Sequence, residues 1–403
     1  MMRNNRWIFL IAVFILFFMG LRTTPTNSFL SADSSIRYEE INRQKQNCRG
    51  STDFSALGGV PSEQTAVFLS PVYKIKQKYK SMKGPGRTQK VFLLKDQSAP
   101  PQLLWITGYE AVVVKEDGQT PELQEFMCHS NLDLDVKCHA ERFGAATSLT
   151  GIRLFTLSQG QVNIRFPKGF GIPILSDEQL DLTTQVLNNN LENPDLRVRY
   201  QIRVHFIADQ DLKEPLTPLF ETAAHGLVLL EPGKDPYFGI PHPDRGQHGS
   251  GCLVGATANV NNEYKDQMGR RFSGHWVVKP GREINKTLVT EIMRLRYDTR
   301  IHYIAVHLHP FAESLELRDL TAGKRVFKSR ARNFKNGIGL DAVDFLSSRA
   351  GIPVYKDHQY ELISVYNNTS QEDQDSMAVM YFYLEDKNFR KENIKKPTPF
   401  PEG

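Results

Sequence analysis

The sequence predicts an all-β protein, and three observations support this fold class. Period-two alternation of apolar and polar residues recurs from about residue 90 onward, as in "VRYQIRVHF" over 198–206. Turn signals such as "FPKGFG", "NNNLENPD" and "KPGRE" separate these runs. Helical periodicity is scarce, and the clearest instance is a single predicted turn of helix in "GLDAVDFLSSRA". Many short strands at this spacing are typical of a sandwich, a jelly roll or a barrel.

The bulk composition fits a soluble globular protein of two to three domains. The chain has 403 residues, of which 40% are hydrophobic and 24% charged. Fifty Lys and Arg residues against 45 Asp and Glu give a net charge of +5, and no segment concentrates it. A nucleic-acid partner is therefore not expected.

The first 24 residues predict an export signal. Two early arginines precede an apolar run from Trp7 to Leu21, which is short for a membrane span and suits a signal peptide. An uncleaved N-terminal anchor is the alternative, because no clear cleavage site follows. In both cases the body of the protein is expected to be exported: periplasmic, extracellular or anchored facing outside. Such an anchor would be its sole contact with a membrane.

Composition divides the rest of the chain into five segments. A polar linker or extension covers 25–90, and an N-terminal β domain covers 91–230. A connection rich in Gly and Pro covers 231–272, and a second β domain covers 273–387. Residues 388–403 form a polar tail. The two β domains are expected to follow one another along the chain.

The four cysteines, Cys48, Cys128, Cys138 and Cys252, agree with an exported chain. Four cysteines allow three pairings, and the sequence does not choose among them. Cys128 and Cys138 flank a polar stretch and could bridge it, while free buried thiols are the alternative. Without a C-x-x-C motif, neither a structural zinc site nor a thioredoxin-like site is indicated.

The stretch "IHYIAVHLHPF", residues 301–311, carries three histidines in an apolar run. Strand alternation separates them, because successive side chains point to opposite faces. His302 is assigned to packing on one face. His307 and His309 lie two residues apart on the other, in the order Ile301, Tyr303, Ala305, His307, His309 and Phe311. Two imidazoles so placed could bind one metal ion, although ordinary hydrogen-bonded histidines are the alternative.

Met377 is a candidate third ligand. It begins the late strand "MAVMYFYL", which follows an acidic turn. Two imidazoles and a thioether favour copper over zinc. A methionine in this pattern can equally be a core residue. His275, in "SGHWVV", is either a further ligand or a buried, hydrogen-bonded residue.

Three motifs give the C-terminal part a resemblance to a known family. They are the turn in "VVKPGREI", the His-x-His strand above, and the acidic turn that leads to methionine in "DSMAVMYFYL". Over 275–385 the chain resembles the copper type II, ascorbate-dependent monooxygenases. The resemblance is fainter over 105–225. It implies two tandem antiparallel jelly-roll (β-sandwich) domains. It also implies copper at His307, His309 and Met377, where dioxygen is activated to hydroxylate a C–H bond, with ascorbate as an external reductant.

The sequence departs from this family in the first domain. Gln124, Glu125 and Leu187 stand where the resemblance implies copper-binding histidines, and His129, the only imidazole nearby, is a further candidate metal ligand. One copper is therefore expected, and the second, electron-storing site should be absent or rebuilt. The substrate is a small molecule that the sequence does not identify, and no catalytic residue beyond the metal ligands is evident. The alternative function is a non-catalytic jelly-roll module that binds copper or a protein partner.

Overall fold

The computed structural model describes residues 63–81, 83–94, 100–144, 152–230, 232 and 263–395. The predicted leader, Cys48, Cys252 and most of the Gly- and Pro-rich connection lie outside these residues. Over the described part of the chain, no helix has the length and apolar character needed to cross a bilayer.

The N-terminal half is a β-sandwich of two sheets. The larger sheet contains six strands of this half: β1 (Gln64–Leu69), β2 (Tyr73–Ile75), β4 (Leu103–Lys115), β7 (Asn163–Arg165), β8 (Phe170–Leu175) and β10 (Leu196–Ala208). The facing sheet has the order β3 (Gly86–Val91), β9 (Leu180–Val186), β5 (Met127–Leu134) and β6 (Arg153–Ser158). In β10 the alternation predicted from the sequence is confirmed, since Val198, Tyr200, Ile202 and Val204 are fully buried.

The C-terminal half is a second sandwich. One sheet contains β11 (Thr217–His225), β24 (Ala378–Glu385), β17 (Thr299–Leu308) and β21 (Leu346–Val354) in that order. The facing sheet has the order β16 (Gly281–Leu288), β22 (Tyr360–Asn368), β18 (Ala312–Asp319), β19 (Lys324–Asn333) and β20 (Leu340–Val343). A short parallel pairing of β8 with β11 joins the large sheets of the two halves.

The remaining described elements are short. The strands β12 (Val228–Leu229), β13 (Glu263–Lys265) and β14 (Arg271–Ser273) form a small sheet, and β15 (Trp276–Val278) pairs with β23 (Gln374–Ser376). The helices are α1 (Val136–Phe143) and α2 (Thr290–Met293), with 3-10 turns at Gln124–Phe126, Asp209–Asp211 and Lys391–Asn393. The predicted fold class, all-β with two tandem antiparallel jelly-roll (β-sandwich) domains, is confirmed.

Two large apolar cores follow from this arrangement in the described part of the chain, beside a small cluster around Trp105 and Phe389, and one of the large cores connects the halves. Ile304, Val306 and Leu308 of β17 pack into the C-terminal core. Tyr303 and Ala305, on the opposite face of the same strand, pack with the core of the N-terminal sandwich. Strand β17 therefore has one face inside its own sandwich and the other against the neighbouring one.

The structure differs from the sequence prediction at the segment boundaries. Strands β1, β2 and β3 fall within 25–90, which was predicted as a linker, because β10 and β9 provide edges for them. Strand β11 falls within the predicted N-terminal domain but pairs with β24 of the second sandwich.

The described part of the predicted polar tail is packed on the N-terminal sandwich. The ring of Phe389 lies 5.5 Å from that of Trp105 in an edge-on contact. The backbone N–H of Lys395 donates to the carbonyl of Arg142 at 2.8 Å. The tail therefore packs through the apolar ring of Phe389, although the segment as a whole is polar.

The proposed bridge between Cys128 and Cys138 is absent. Cys128 is buried within β5, whereas Cys138 is exposed on α1. The two side chains therefore lie in different environments, and the polar stretch between them is spanned by strand and helix without a disulfide.

Candidate metal site

The candidate site lies at the end of β17 on the face that meets the N-terminal sandwich. A bulge between Ile301 and Tyr303 resets the alternation, so Ile301 packs into the C-terminal core and away from the histidines. The strand ends after Leu308, as expected before Pro310, which has no N–H to donate. Phe311 has a φ of 69° and also packs against the C-terminal core. The predicted placement of Ile301 and Phe311 beside the histidines was therefore wrong.

The structure brings His307 and His309 together as predicted. Their ring centroids lie 5.3 Å apart with an interplanar angle of 84°, and the residues are 7% and 3% exposed. Two imidazoles bound to one ion at metal–nitrogen distances of about 2.0–2.1 Å hold their centroids roughly 4.5–6 Å apart. The spacing of the two rings is therefore compatible with a shared ion.

Met377 lies beside His309. The antiparallel pairing of β17 with β24 ends at Leu308 and Ala378. Continuing the register by one residue beyond these strand ends places Met377 opposite His309. The Tyr366 hydroxyl donates to the Met377 carbonyl at 2.6 Å and accepts from the His309 N–H at 3.3 Å. This hydroxyl thus fixes the backbones of the two residues where the strand pairing ends, and Met377 is buried.

Two further histidines lie close to this pair. The ring centroid of His275, which is fully buried, is 6.0 Å from that of His309. His129, on β5 of the other sandwich, is also buried, and positive charge on His309 contributes to lowering its pKa. His302 is separate: its Nδ1 lies 3.0 Å from the Ser348 carbonyl, and its ring packs on Phe170, which agrees with the packing role predicted for it.

Burial keeps the imidazoles of His307 and His129 uncharged at neutral pH. It lowers the pKa of His307 well below its ordinary value, and the charges of His309, His129 and His275 lower it further. Burial, followed by the charges of Arg153 and His309, lowers the pKa of His129 to about 3. A metal ion binds the neutral form of histidine, so these rings are already in the protonation state that coordination requires.

Asp375 orients His309. One carboxylate oxygen lies 3.1 Å from His309 Nδ1, and the Asp375 carbonyl lies 3.3 Å from the same atom. Burial raises the pKa of Asp375, but the hydrogen bond and the charge of His309 outweigh burial and hold it below its ordinary value. A proton on Nδ1 leaves Nε2 as the nitrogen that can bind a metal, an arrangement common behind metal-binding histidines.

The donor set supports a mixed site of nitrogen and sulfur. Across the described ranges no three or more His, Cys, Asp or Glu side chains converge on one point. An ion at His307 and His309 would therefore depend on the Met377 thioether as a third ligand. Among the described residues the Nδ1 atom of His307 is buried without a hydrogen-bond partner, so no protein group competes for it. These residues fit copper, whose reduced form prefers imidazole and thioether donors.

The first-domain positions named by the family resemblance have structural roles. The Gln124 amide accepts from the Val113 N–H at 2.9 Å, and Glu125 accepts from the Asn190 amide at 3.0 Å. Leu187 is buried. None of these three side chains is an imidazole. The expectation of a single copper ion stays a prediction.

Sequence reasoning missed two buried residues close to this region, Glu221 and His225 of β11. Both point to the face shared with His307, because His225 pairs with Val379 of β24 and Val379 pairs with His307. Alternation within "ETAAH" does place Glu221 and His225 on one face. The pairing of β11 with β24, across more than 150 residues of sequence, was needed to bring that face to the site.

Comparison with known proteins finds distant similarity to solved structures. No family model and no curated protein matches the chain. Among solved structures it is similar to PNGase F, a glycosylasparaginase from Flavobacterium meningosepticum, with 6% identity and a TM-score of 0.31 over 80% of this chain and 96% of that one. It is also similar to the STIV MCP, with 8% identity and a TM-score of 0.27 over 81% of this chain and 98% of that one. We base no functional statement on similarities this low.

Proposed function

We propose that the protein is an exported copper-dependent oxidoreductase, with a monooxygenase-like reaction at one copper held by His307, His309 and Met377. The observation that carries the proposal is the pair of buried imidazoles 5.3 Å apart on one strand face, with Met377 opposite His309. Copper bound there would supply a one-electron centre able to react with dioxygen.

The chain's own residues contribute binding, orientation and exclusion of water. His307 offers an unpartnered Nδ1, and Asp375 holds His309 through Nδ1. The Tyr366 hydroxyl keeps Met377 in register with His309. The two sandwiches bury all three proposed ligands, so bulk water has little access to the site.

A copper titration tests the binding part of the proposal. The purified chain competes with a chromophoric Cu(I) chelator, and we expect one tight equivalent. His309→Ala should abolish it, and Met377→Leu should weaken it at least tenfold, since leucine keeps the apolar volume but has no sulfur. The matched control is His302→Gln, a buried histidine of the same strand that already has a hydrogen-bond partner. Equal affinity in all four proteins would contradict the site.

Catalysis is tested separately by dioxygen consumption with ascorbate in the copper-loaded chain. We expect a rate above that of free copper that His309→Ala removes. The alternative function, a non-catalytic module that binds copper or a protein partner, is favoured by the lack of histidine at Gln124, Glu125 and Leu187. Retained copper binding with a rate equal to free copper would support that alternative.

Export rests on the N-terminal sequence and has its own test. If residues 1–24 are a signal peptide, the protein recovered from outside the cytoplasm should begin near residue 25. An intact N-terminus in a membrane fraction would indicate the anchor, and an intact N-terminus in the cytoplasm would contradict export.

A further inference from the structure

A layer of buried polar groups lies between the two sandwiches, around the candidate metal site. It contains His129 of β5, Glu221 and His225 of β11, and His307 of β17, each at most 7% exposed. Each has an atom without a hydrogen-bond partner among the described residues: Nδ1 of the three histidines and Oε1 of Glu221. Buried polar groups are nearly always paired. The His307 atom is the one proposed to bind copper, so the atoms of His129, Glu221 and His225 are the three that a bound molecule could pair with.

Arg153 of β6 ties this layer together. Its positive charge lowers the pKa of Glu221, His225 and His129, so all three lie within reach of the same guanidinium. The guanidinium itself is engaged, because it donates to the Asp133 carboxylate and to the Thr156 hydroxyl. Because Arg153 is hydrogen-bonded to these two groups, the layer provides no further cation to neutralise a bound anion.

The groups contributed by β11 are uncharged at neutral pH. Burial is the main cause that raises the pKa of Glu221 to about 8. The charge of Arg153 lowers this pKa, and the charge of Asp133 raises it. Burial, and to a smaller extent Arg153, lowers the pKa of His225 to about 3. The layer thus offers a carboxylic acid and a neutral imidazole, which can donate and accept hydrogen bonds without a net charge. An anionic ligand would lose its hydration here without gaining a counterion.

The position of the layer connects it to the candidate metal site. His225, Val379 and His307 lie side by side on three neighbouring strands. With strands about 4.7–4.9 Å apart, the two histidine backbones are separated by roughly 10 Å on one sheet face. Tyr381 and Tyr383 follow on the same face and add aromatic surface. Because every one of these residues is buried, the layer is closed to a polymer.

We propose that Glu221, His225 and His129 bind a small uncharged polar molecule, of the alcohol or amide class, in this layer beside His307. This proposal adds a ligand to the proposed function. It rests on that function only where the bound molecule is taken to be the substrate. The binding itself requires no metal and can be measured without one.

The test uses the full chain in its metal-free form, with benzyl alcohol, benzamide and benzoate as probes of matched size. Saturation-transfer NMR at pH 7 should show saturable binding of the two uncharged probes, with benzoate at least tenfold weaker. His225→Leu and Glu221→Leu should each weaken benzyl alcohol at least tenfold. Glu221→Gln should retain it, because the amide mimics a protonated carboxyl, and the control His302→Gln should leave it unchanged.

Three outcomes would overturn the proposal: no saturable binding of either uncharged probe, benzoate binding as tightly as benzyl alcohol, or unchanged affinity in His225→Leu. If a leucine variant fails to fold, the wild-type chain labelled with [15N]histidine replaces it. Benzyl alcohol must then shift the signals of neutral imidazole nitrogens, and an unchanged spectrum also refutes the site. A chain that binds the alcohol but no copper would refute the proposed function while leaving this site intact.

Discussion

Replacing Glu221 with glutamine should stabilise the protein at neutral pH. The carboxyl group is 4% exposed, its Oε1 atom has no hydrogen-bond partner in the described structure, and burial raises its pKa from 4.5 to about 8. In the folded chain it is therefore protonated at pH 7, whereas in the unfolded chain it is ionised. Glu221→Gln keeps the size and the neutral state of the group but removes its tendency to ionise on unfolding.

The size of the effect follows from proton linkage. Between the two pKa values the folded state binds one proton more than the unfolded state, so the free energy of unfolding falls as pH rises. Each pKa unit corresponds to about 1.36 kcal/mol. The unfolded-state pKa is 4.5, so at pH 7 ionisation of this carboxyl lowers the free energy of unfolding of the wild type by about 3 kcal/mol. The effect levels off above pH 8. Below pH 4.5 both states are protonated and the effect disappears.

The measurement is denaturant unfolding of the wild type and Glu221→Gln from pH 4 to pH 8. The two proteins should be nearly equal at pH 4, and the variant should be more stable by about 3 kcal/mol at pH 7. Glu178→Gln is the control of opposite sign, because that buried carboxylate lies 2.7 Å from His139 Nδ1 and its loss should destabilise. A difference for Glu221→Gln that does not change with pH would refute the assignment of a protonated carboxyl.

Two further substitutions test the contacts that hold the site and the halves together. Tyr366→Phe removes the hydroxyl that joins the His309 N–H to the Met377 carbonyl, and should cost about 1–3 kcal/mol and weaken Cu(I) binding in competitive titration. Unchanged copper affinity would show that this hydroxyl does not position Met377. Phe389→Ala removes the ring packed on Trp105 and should cost about 3–5 kcal/mol with a red shift of tryptophan emission. An unshifted emission spectrum would contradict the packing of the tail on the N-terminal sandwich.

The fold class was predictable because a strand with one buried face leaves a period-two pattern in its own sequence. Strand β10 shows this pattern, whereas β17 is buried on both faces from Ile301 to Leu308. The pattern fails where apolar spacing is ambiguous. The apolar residues of "GLDAVDFLSSRA" are spaced as in a helical turn, yet they form β20 and β21 on either side of Asp344, because β19 and β17 provide pairing edges. Long-range pairing overrides local spacing in such short segments.

The candidate site was predictable only in part, for a related reason. The His307 and His309 pair lies within one strand, and local alternation places both on one face. His225 and Glu221 belong to another strand, and their approach to the pair depends on a register that no local pattern encodes. The position of His129 depends in addition on how the two sandwiches pack. Residues assembled from strands distant in sequence are therefore the ones that sequence reasoning misses.

The packing of the sandwiches also decides what the site can accept. His307 shares the strand face that packs against the N-terminal sandwich, whereas His309 contacts His275, Asp375 and Tyr366 of its own half. Because the three proposed ligands are buried, the site is closed to a polypeptide unless the halves separate. Since the tail around Phe389 and the parallel pairing of β8 with β11 join the halves, separation would have to break an aromatic contact and a shared sheet. We therefore expect a small substrate, rather than a macromolecular one, for any reaction at His307 and His309.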